Sequence, residues 1–417
     1  MGTDKCLRYG KQDKLYGMSV LSRRRFCISA SALIMRQVRA AAENPCILLS
    51  SSQVTRLRNA LGRDAALRPS GELIRQNADA ALKQGPWSVT YHRPDFIQAA
   101  PNDYYSEGPY WWPDPNNPKG PYIRKDGQRN PDRYLNNRND LGSMCSAVIA
   151  LGMGGLLGDR RYAEHAGRIL SVWFVDPKTR MNPNLEFGQA VRGINTGRGT
   201  GIIDTVSLIH TAQGVLLLEQ AGMLEAKVGE GVRRWFADYL RWMTTSRKGL
   251  DEKKSGNNHA TWWTAQVAAY ATLVGDSSIK SMAWDHYREY LVPTEVQPDG
   301  SCPREEARTQ SLSYSAMNLD AFAVLCRIAE INGVSLWRYR TPQGVGIETS
   351  FHYLLPFVTH PEKWVKQQIT KYSADGTIFP GLAGVGLQSD ELLSGYRSLR
   401  RAKAGWVQLV DLTVRVA

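Results

Sequence analysis

Apolar side chains recur every three to four residues along most of the chain after residue 140, the spacing that places them on one face of an α-helix. This pattern predicts helices at 141–151, 160–174, 205–221, 229–245, 259–274, 277–291, 315–332 and 387–403. Asp140 is the expected N-cap of the first one. Glycine follows four of them, at Gly158, Gly222, Gly275 and Gly333, where a left-handed residue commonly ends a helix. No alternating strand pattern lies between 140 and 335, so the sequence predicts helical hairpins, stacked as an open solenoid or closed into an α/α toroid.

Two regions depart from this pattern. Residues 86–138 are rich in Pro, Gly, Asn, Tyr and Trp, and so long a loop in a compact domain is usually functional. The chain after about residue 340 is less regular and is expected to contain a few short strands, as at residues 405–410. No linker separates these regions from the helices, so residues 43–417 are predicted to form one domain.

The N-terminus is predicted to be a twin-arginine export signal that covers residues 1–42. Ser22-Arg23-Arg24-Arg25-Phe26 precedes the apolar run 27–35 and the small residues 40–42, and Met18 is an alternative start. A disordered basic tail is the alternative interpretation. The signal predicts a periplasmic or secreted protein, and the apolar run is too short to span a bilayer, so no membrane insertion is expected of the mature form.

The net charge of +13 at first suggests a nucleic-acid partner. Residues 1–42 hold nine Lys/Arg and two Asp/Glu, so 13 − 7 leaves +6 for the remainder. That balance suits any polyanion. The mature chain lacks a concentrated Lys/Arg stripe interleaved with aromatic residues, so nucleic-acid binding is not expected.

The cysteines of the mature chain are Cys46, Cys145, Cys302 and Cys326. They are scattered and have no metal-ligand spacing, so neither a metal nor another cofactor is predicted. A single disulfide in an oxidising compartment remains open, and the oligomeric state is not indicated.

Aromatic residues cluster in the long loop, where Tyr110, Trp111 and Trp112 lie within the run from Tyr104 to Pro115. Flat rings beside hydrogen-bonding side chains suit pyranose faces, so these three are candidate substrate-binding residues. The alternative is that they pin the loop to the body of the protein.

A glycine-rich segment, 189–201, contains Arg192, Asn195 and Arg198. It lacks the preceding strand and the lysine of a phosphate-binding loop. One interpretation is a flexible lid in which these residues contact substrate and an arginine meets a carboxylate through a bidentate fork. The other is an exposed turn with solvated arginines.

Asn258 and His259 lie at a predicted helix N-terminus, followed by Trp262 and Trp263 as further candidate substrate contacts. Free backbone N–H groups at such an end favour an anion. The alternative is an ordinary cap formed by Asn257 or Asn258, with His259 a satisfied partner.

Arg308 and Tyr314 are six residues apart, so on a straight helix they would lie on different faces. Their side chains can converge only if the helix is broken between them, and residues 311–313 are the expected position of the break.

These side chains together match the needs of β-elimination from a uronic acid. The carboxylate must be neutralised, a base must take the C5 proton, and an acid must protonate the departing O4. Asn258 and Arg308, with His259, can neutralise the carboxylate. His259 or Tyr314 can be the base, and Tyr314 can be the acid. Tyr314 in both roles gives syn elimination, and His259 as base gives anti elimination.

Four motifs in order resemble the alginate lyase superfamily of α/α-toroid polysaccharide lyases. They are Gly108-Pro109-Tyr110-Trp111-Trp112-Pro113-Asp114-Pro115, Ile194-Asn195-Thr196-Gly197-Arg198-Gly199, Asn257-Asn258-His259 and Ala307-Arg308 with Tyr314. The resemblance covers residues 50–370 approximately. It implies an all-α fold, an incomplete (α/α) toroid of helical hairpins with long aromatic-rich loops.

The same resemblance implies a function. The catalytic set transfers to Asn258, His259, Arg308 and Tyr314, and the expected partner is an anionic 1,4-linked uronic-acid polysaccharide. The six-residue interval between Arg308 and Tyr314 is similar to that of a sister branch that includes glucuronan lyases and some alginate lyases. The mannuronate-specific branch has a longer interval, so alginate, polymannuronate and glucuronan all remain candidate polymers.

Two other functions compete with the lyase. A glycoside hydrolase of toroid fold would use paired carboxylates, for which Asp103, Glu107, Asp114 and Asp204 are candidates. A non-catalytic carbohydrate-binding protein would keep the aromatic residues without needing the imidazole, guanidinium and phenol.

Overall fold

Helices dominate the structure, a computed structural model that describes residues 46–92, 99–403 and 405–416. The predicted export segment, residues 1–42, lies outside the described residues. The helices of the first half are α1 (Ser51–Ala60), α2 (Arg68–Ala81), α3 (Asn136–Gly155), α4 (Arg160–Leu170), α5 (Leu208–Gln220), α6 (Ala226–Thr245) and α7 (Arg247–Lys253). Those of the second half are α8 (Asn258–Val274), α9 (Ser277–His286), α10 (Val292–Glu295), α11 (Pro303–Glu306), α12 (Ser311–Ile331), α13 (Ile347–Thr359), α14 (Phe379–Leu387), α15 (Asp390–Ser398) and α16 (Gly405–Arg415).

Shorter elements complete the chain. Wide π-helical turns, Ser171–Val175 and Tyr287–Leu291, extend α4 and α9, and 3-10 helices cover Gly199–Thr205 and Pro361–Lys363. The strands are β1 (Tyr105–Glu107), β2 (Trp111–Trp112), β3 (Ile123–Arg124) and β4 (Phe187–Ala190). β1 pairs parallel with β4, and β2 pairs antiparallel with β3. The β1–β4 pair therefore ties the aromatic-rich loop to residues 187–190, and the β2–β3 pair lies within the loop itself.

The glycines predicted to end helices have the expected conformation. Gly158, Gly222, Gly275 and Gly333 have φ angles of 84°, 67°, 81° and 81°. Gly275 is the left-handed C-cap of α8, and its N–H bonds to the carbonyl of Ala271. Side chains avoid this conformation, which is why glycine marks these ends in the sequence.

The predicted start of the first long helix was wrong. Asp140 lies inside α3, which begins at Asn136, and its carboxylate contacts Nδ1 of His92 at 3.1 Å. The first turn of α3 consists of polar residues, so hydrophobic spacing does not reveal it.

Two predictions in the C-terminal part were also wrong. Residues 405–410 belong to helix α16 and are not strands, because a short apolar run does not distinguish a strand from a buried helix. The helix expected at 387–403 is shorter at both ends. Leu387 ends α14, Gln388 adopts φ 57°, and Ser389 caps α15, which covers only Asp390–Ser398.

The helices form two layers. In the inner layer α3 packs on α5, α5 on α8, α8 on α12, α12 on α14, α14 on α16, and α16 returns to α3. Outer helices cover this ring, with α2 and α4 on α3, α6 and α9 on α8, and α13 and α15 on α14. An inner layer of helices covered by an outer layer in this way is an α/α toroid, so the predicted all-α toroid fold class is confirmed.

One segment of the inner ring, Gly199–Gln220, is long and apolar enough to cross a membrane. However, 78% of that window is buried inside the protein, which identifies it as a core helix. The described cysteines, Cys46, Cys145, Cys302 and Cys326, are buried and free, so none of them forms the disulfide left open by the sequence.

Candidate active site

A cleft of about 360 Å³ lies where the inner helices begin. Its lining includes Arg138 from the first turn of α3, Thr200 before α5, His259 at the start of α8, and Tyr314 in the first turn of α12. Helix N-termini carry a partial positive charge. Five arginines also line the cleft, namely Arg124, Arg129, Arg138, Arg198 and Arg308, whereas no Asp or Glu of the described chain does so. The cleft is therefore built for an anion.

The structure brings together residues that the sequence separates by about 200 positions. The predicted site residues that line the cleft are Tyr110, Trp111, Arg198, Asn258, His259, Arg308 and Tyr314. All four predicted catalytic residues thus share one cavity.

Asn257 caps α8, and this leaves Asn258 and His259 available for other contacts. The Asn257 side chain accepts a hydrogen bond from the N–H of His259 at 3.1 Å. Asn258 is fully buried, and its Nδ2 donates to both carboxylate oxygens of Glu305, at 2.9 and 2.8 Å. The backbone N–H of Asn258 also donates to Glu305, at 2.5 Å. Its Oδ1 has no protein partner within the described residues.

His259 is oriented by a buried carboxylate. Its Nδ1 lies 2.6 Å from Oε1 of Glu252, whose side chain is 1% exposed. Burial alone would lower the pKa of His259, but the charge and hydrogen bond of Glu252 raise it above its usual value. With Nδ1 donating to Glu252, the lone pair of Nε2 is free to take a proton from a substrate.

The break needed between Arg308 and Tyr314 is present, slightly earlier than predicted. α11 ends at Glu306 and α12 begins at Ser311, so residues 307–310 turn the chain. The Arg308 guanidinium consequently lies over the Tyr314 ring, 3.8 Å from its centroid. It also donates to the two oxygens of Asp126, at 3.2 and 2.8 Å. Although burial would raise the pKa of Asp126, Arg308 holds it down at about 2, so this carboxylate stays ionised.

The hydroxyl groups of Tyr314 and Tyr110 form a short hydrogen bond. Burial raises the pKa of Tyr314 above its usual value, the neighbouring Tyr110 raises it further, and Arg308 opposes this shift. Tyr314 is therefore a protonated phenol at neutral pH, suited to donate a proton.

A second network supports the wall of the cleft near Trp111. Arg198 lies over the Trp111 ring, 5.8 Å from its centroid, and its Nη2 donates to Oε1 of Gln189 at 2.8 Å. Gln189 in turn donates to the buried Asp204 at 3.0 Å. Gln189 has φ 49°, a conformation that side chains rarely adopt and that persists only where surrounding contacts enforce it.

Three aromatic residues predicted to bind substrate lie elsewhere. Trp263 is fully buried and packs against His286, and Trp262 is 8% exposed within the core. Polar residues beside them in the sequence suggested an exposed face, but this helix is buried on all sides. Trp112 lies outside the cleft lining, where its Nε1 donates to the carbonyl of Gln128 at 2.9 Å. This contact lies within the loop itself, as does the approach of Lys125 to the Trp112 ring.

Two polar residues of the glycine-rich segment that were predicted to bind substrate lie outside the cleft lining. Arg192 pairs with the buried Glu107 at 2.6 Å. The Asn195 side chain accepts from the N–H of Val191 and closes a local turn. Neither residue lines the cleft.

The glycines of this segment serve packing and not a flexible lid. A Cβ on Gly197 would lie 2.1 Å from the carbonyl oxygen of Glu186. A Cβ on Gly201 would lie 2.6 Å from the backbone of Gly188. Both are closer than real Cβ atoms approach, so glycine is required for the backbones to pass.

The carboxylates of the hydrolase hypothesis do not meet in the cleft. Asp103 accepts from Asn182, Glu107 pairs with Arg192, and Asp114 closes a turn. Asp204 is buried and contacts Arg138 at 3.3 Å. None of the four lines the cavity, so paired carboxylates are not available there for hydrolysis.

Several residues of the site were not predicted from the sequence. Glu252, Glu305 and Asp126 hold predicted catalytic residues, and Arg124, Arg129, Arg138 and Gln189 line the cleft. Glu252 lies in the charged run Asp251-Glu252-Lys253-Lys254, which is typical of a solvated helix face. Within the described ranges, no group of three His, Cys, Asp or Glu side chains could hold a metal ion.

Comparison with known proteins shows that the chain is similar to alginate lyases. The profile of the alginate lyase family matches residues 96–364. Among curated proteins, none matches the chain significantly. A crystal structure of an alginate lyase from Bacteroides ovatus is 32% identical and superposes with a TM-score of 0.81, covering 89% of this chain and 99% of that one.

More distant structures share the fold. Alginate lyase A1-III from Sphingomonas species A1 is 18% identical with a TM-score of 0.54, over 84% of this chain and 92% of that one. A complex of alginate lyase A1-III with a tetrasaccharide is 16% identical with a TM-score of 0.58, over 87% and 93% of the two chains.

Proposed function

The chain belongs to the alginate lyase family and is a polysaccharide lyase, and we propose that it cleaves a 1,4-linked uronic-acid polymer by β-elimination. The observation that carries this proposal is the shared cleft. Asn258, His259, Arg308 and Tyr314 line one cavity together with four further arginines and without a carboxylate of the described chain. A polymer with one negative charge on each sugar fits that lining.

Neutralisation of the reacting carboxylate falls to Arg308 and Asn258 in this proposal. Negative charge moves onto the carboxylate when the C5 proton leaves, so donors fixed beforehand stabilise the transition state most. Arg308 is fixed by Asp126 and by the Tyr314 ring, and Asn258 is fixed by Glu305. Neither side chain has to reorganise as the charge develops.

Proton transfer falls to His259 and Tyr314. His259 carries a free Nε2 and a pKa raised by Glu252, which makes it a competent base once deprotonated. Tyr314 is protonated at neutral pH and can donate to the departing O4. Its hydroxyl is paired with that of Tyr110, so Tyr110 can stabilise the phenolate that donation produces.

Alginate is the first candidate polymer, because the family and the Bacteroides ovatus protein carry that name. Glucuronan is the second, because the interval between Arg308 and Tyr314 resembles that of the branch that includes glucuronan lyases. Glucuronate and mannuronate differ only at C2, away from the carboxylate and the broken bond. The catalytic set therefore serves either polymer, and the surrounding contacts select between them.

A substrate panel tests this function. Elimination leaves an unsaturated uronate that absorbs in the ultraviolet, whereas hydrolysis leaves none. Mannuronate blocks, guluronate blocks, glucuronan and glucuronate-containing glycosaminoglycans would each be incubated with the protein. We expect ultraviolet absorbance to rise with at least one of the first three. New reducing ends without absorbance would show a hydrolase, and no cleavage of any polymer would refute the proposal.

Export through the twin-arginine route is also part of the proposed function. A large external polymer requires an exported enzyme, and Ser22-Arg23-Arg24-Arg25-Phe26 has the required pattern. Replacing Arg23 and Arg24 by Lys should retain the protein in the cytoplasm. Unchanged export of that variant would exclude this route.

A further inference from the structure

Asn258 and His259, adjacent at the start of α8, are each held by a buried glutamate from a different helix. Glu252 from α7 contacts His259, and Glu305 from α11 contacts Asn258. The Glu305 contact presents a problem for the proposed function. A uronate carboxylate needs hydrogen-bond donors, yet Asn258 directs its amide nitrogen towards an internal carboxylate.

The geometry of the contact resolves this problem. Nδ2 of Asn258 lies 2.9 Å from one Glu305 oxygen and 2.8 Å from the other. The two oxygens of a carboxyl group are close together, whereas the two N–H bonds of an amide diverge widely. One N–H directed between the oxygens can serve both, and the second N–H then points away from Glu305.

The side-chain amide of Asn258 is held by hydrogen bonds at its nitrogen and not at its oxygen. Glu305 is 1% exposed and also accepts the backbone N–H of Asn258, so it holds both the main chain and the side chain of this residue. Oδ1 of Asn258 has no protein partner among the described residues, so no contact on that side fixes the rotation of the amide. The orientation of the free N–H depends on Glu305.

We propose that Glu305 is a positioning residue that fixes the Asn258 amide so that its second N–H can meet the substrate carboxylate. This role rests on the proposed lyase function and adds to it a residue that does not line the cleft. It predicts that the contribution of Glu305 to catalysis passes mainly through its hydrogen bonds to Asn258, beside a smaller electrostatic effect on His259 and Arg308. A residue needed only for folding would not show that dependence.

A double-mutant cycle tests this dependence. Glu305→Gln keeps the size of the side chain but places an N–H opposite the Asn258 amide in place of one acceptor oxygen. Rates would be measured by ultraviolet absorbance on the best polymer of the panel, for Glu305→Gln, Asn258→Ala and the double variant. We expect Glu305→Gln alone to lower kcat about tenfold or more, with a smaller change in KM. In the Asn258→Ala background it should change kcat by less than about twofold.

Glu295 offers a matched control. It is a buried glutamate close to Glu305, but its Oε2 accepts from Thr261 and Asn318 and not from a cleft residue. Burial raises the pKa of Glu295 to about 8, so it is mostly protonated at neutral pH and glutamine resembles it closely. Glu295→Gln should retain the wild-type kcat within about twofold.

The outcomes separate cleanly. An equal loss from Glu305→Gln in both backgrounds would overturn the proposal, because Glu305 would then act without Asn258. A wild-type kcat in Glu305→Gln would overturn it as well. If Glu305→Gln lowers the melting temperature below the assay range, Glu305→Asp keeps the carboxyl group but withdraws it from Asn258, and the same cycle applies. A wild-type protein inactive on every polymer would refute the proposed function itself.

Discussion

Nδ1 of His259 lies 2.6 Å from Oε1 of Glu252, a glutamate buried beneath the floor of the cleft. This contact fixes the imidazole ring and sets its basicity. A base must be unprotonated to act, so activity is lost as the pH falls through the pKa of His259. Because that pKa lies above its usual 6.5 in the ligand-free protein, we expect the acid limb of the kcat/KM profile to have its midpoint above pH 6.5.

Glu252→Gln should move this acid limb to lower pH. Without the carboxylate, burial dominates and lowers the pKa of His259, so the base remains unprotonated in more acidic solution. The weaker base should also lower the plateau kcat. The measurement is the pH dependence of kcat/KM for both proteins, with kcat recorded on the plateau. His352 and Glu391 form a similar pair at the surface, 2.8 Å apart, and Glu391→Gln is the control that should leave the profile unchanged. An unshifted limb in Glu252→Gln would show that another group titrates.

The two possible bases predict different losses on the two epimers of alginate. In mannuronate the C5 proton and O4 lie on the same side, so Tyr314 can both take and give a proton once its own phenol proton has been removed. In guluronate they lie on opposite sides, so His259 must be the base. His259→Ala should lower the rate on guluronate blocks at least about a hundredfold, and the rate on mannuronate blocks less. The exposed His360 provides the control His360→Ala. Equal losses on both blocks would mean that His259 has one role on both.

Arg129 should contribute to substrate binding through its charge alone. It lines the cleft and has no hydrogen-bond or ion-pair partner in the part of the chain that the structure describes. Arg129→Ala should raise KM about two- to fivefold, with kcat nearly unchanged. Salt screens such interactions, so the difference in KM should shrink as ionic strength rises. Arg234→Ala, at an exposed arginine outside the cleft, should leave KM unchanged. A fall in kcat for Arg129→Ala would place this residue at the reacting sugar.

Trp111 and Trp263 were both predicted to bind substrate, but their alanine variants should have different effects. Trp263 is fully buried, so Trp263→Ala should lower the free energy of unfolding by about 3–5 kcal/mol. Trp111 lines the cleft beside Arg198, so Trp111→Ala should raise KM several-fold with little loss of stability. Chemical denaturation and steady-state kinetics measure the two effects. A stable Trp263→Ala variant with a raised KM would contradict the assignment of Trp263 to the core.

Local sequence signals predicted the helices well because each has a physical cause. The glycine at 275 is required by a left-handed φ of 81°, and it marks the end of α8. The helix α16 was missed because a short apolar run fits a strand or a buried helix equally. Its packing on α3, far away in the sequence, decides between them.

The site was predicted only where residues carry distinctive chemistry. Asn258, His259, Arg308 and Tyr314 are unusual enough in combination to be recognised. Glu252 and Glu305 are not, because a glutamate in a charged segment normally faces solvent. Their roles follow from α7 and α11 packing behind the start of α8, which local spacing does not encode. Arg192 is the opposite case. Its sequence context suggested a substrate contact, but it pairs with Glu107, a buried carboxylate 85 residues away in the sequence.

The most direct test of the whole account is product formation by Tyr314→Phe. Phenylalanine keeps the ring beneath Arg308 but removes the hydroxyl that is proposed to protonate the departing oxygen. On the preferred polymer we predict that the ultraviolet absorbance produced per second at saturation falls at least about a hundredfold, while KM changes by less than about threefold. Tyr91→Phe, at an exposed tyrosine, should match the wild type. A folded Tyr314→Phe protein that forms unsaturated product at the wild-type rate would contradict the account.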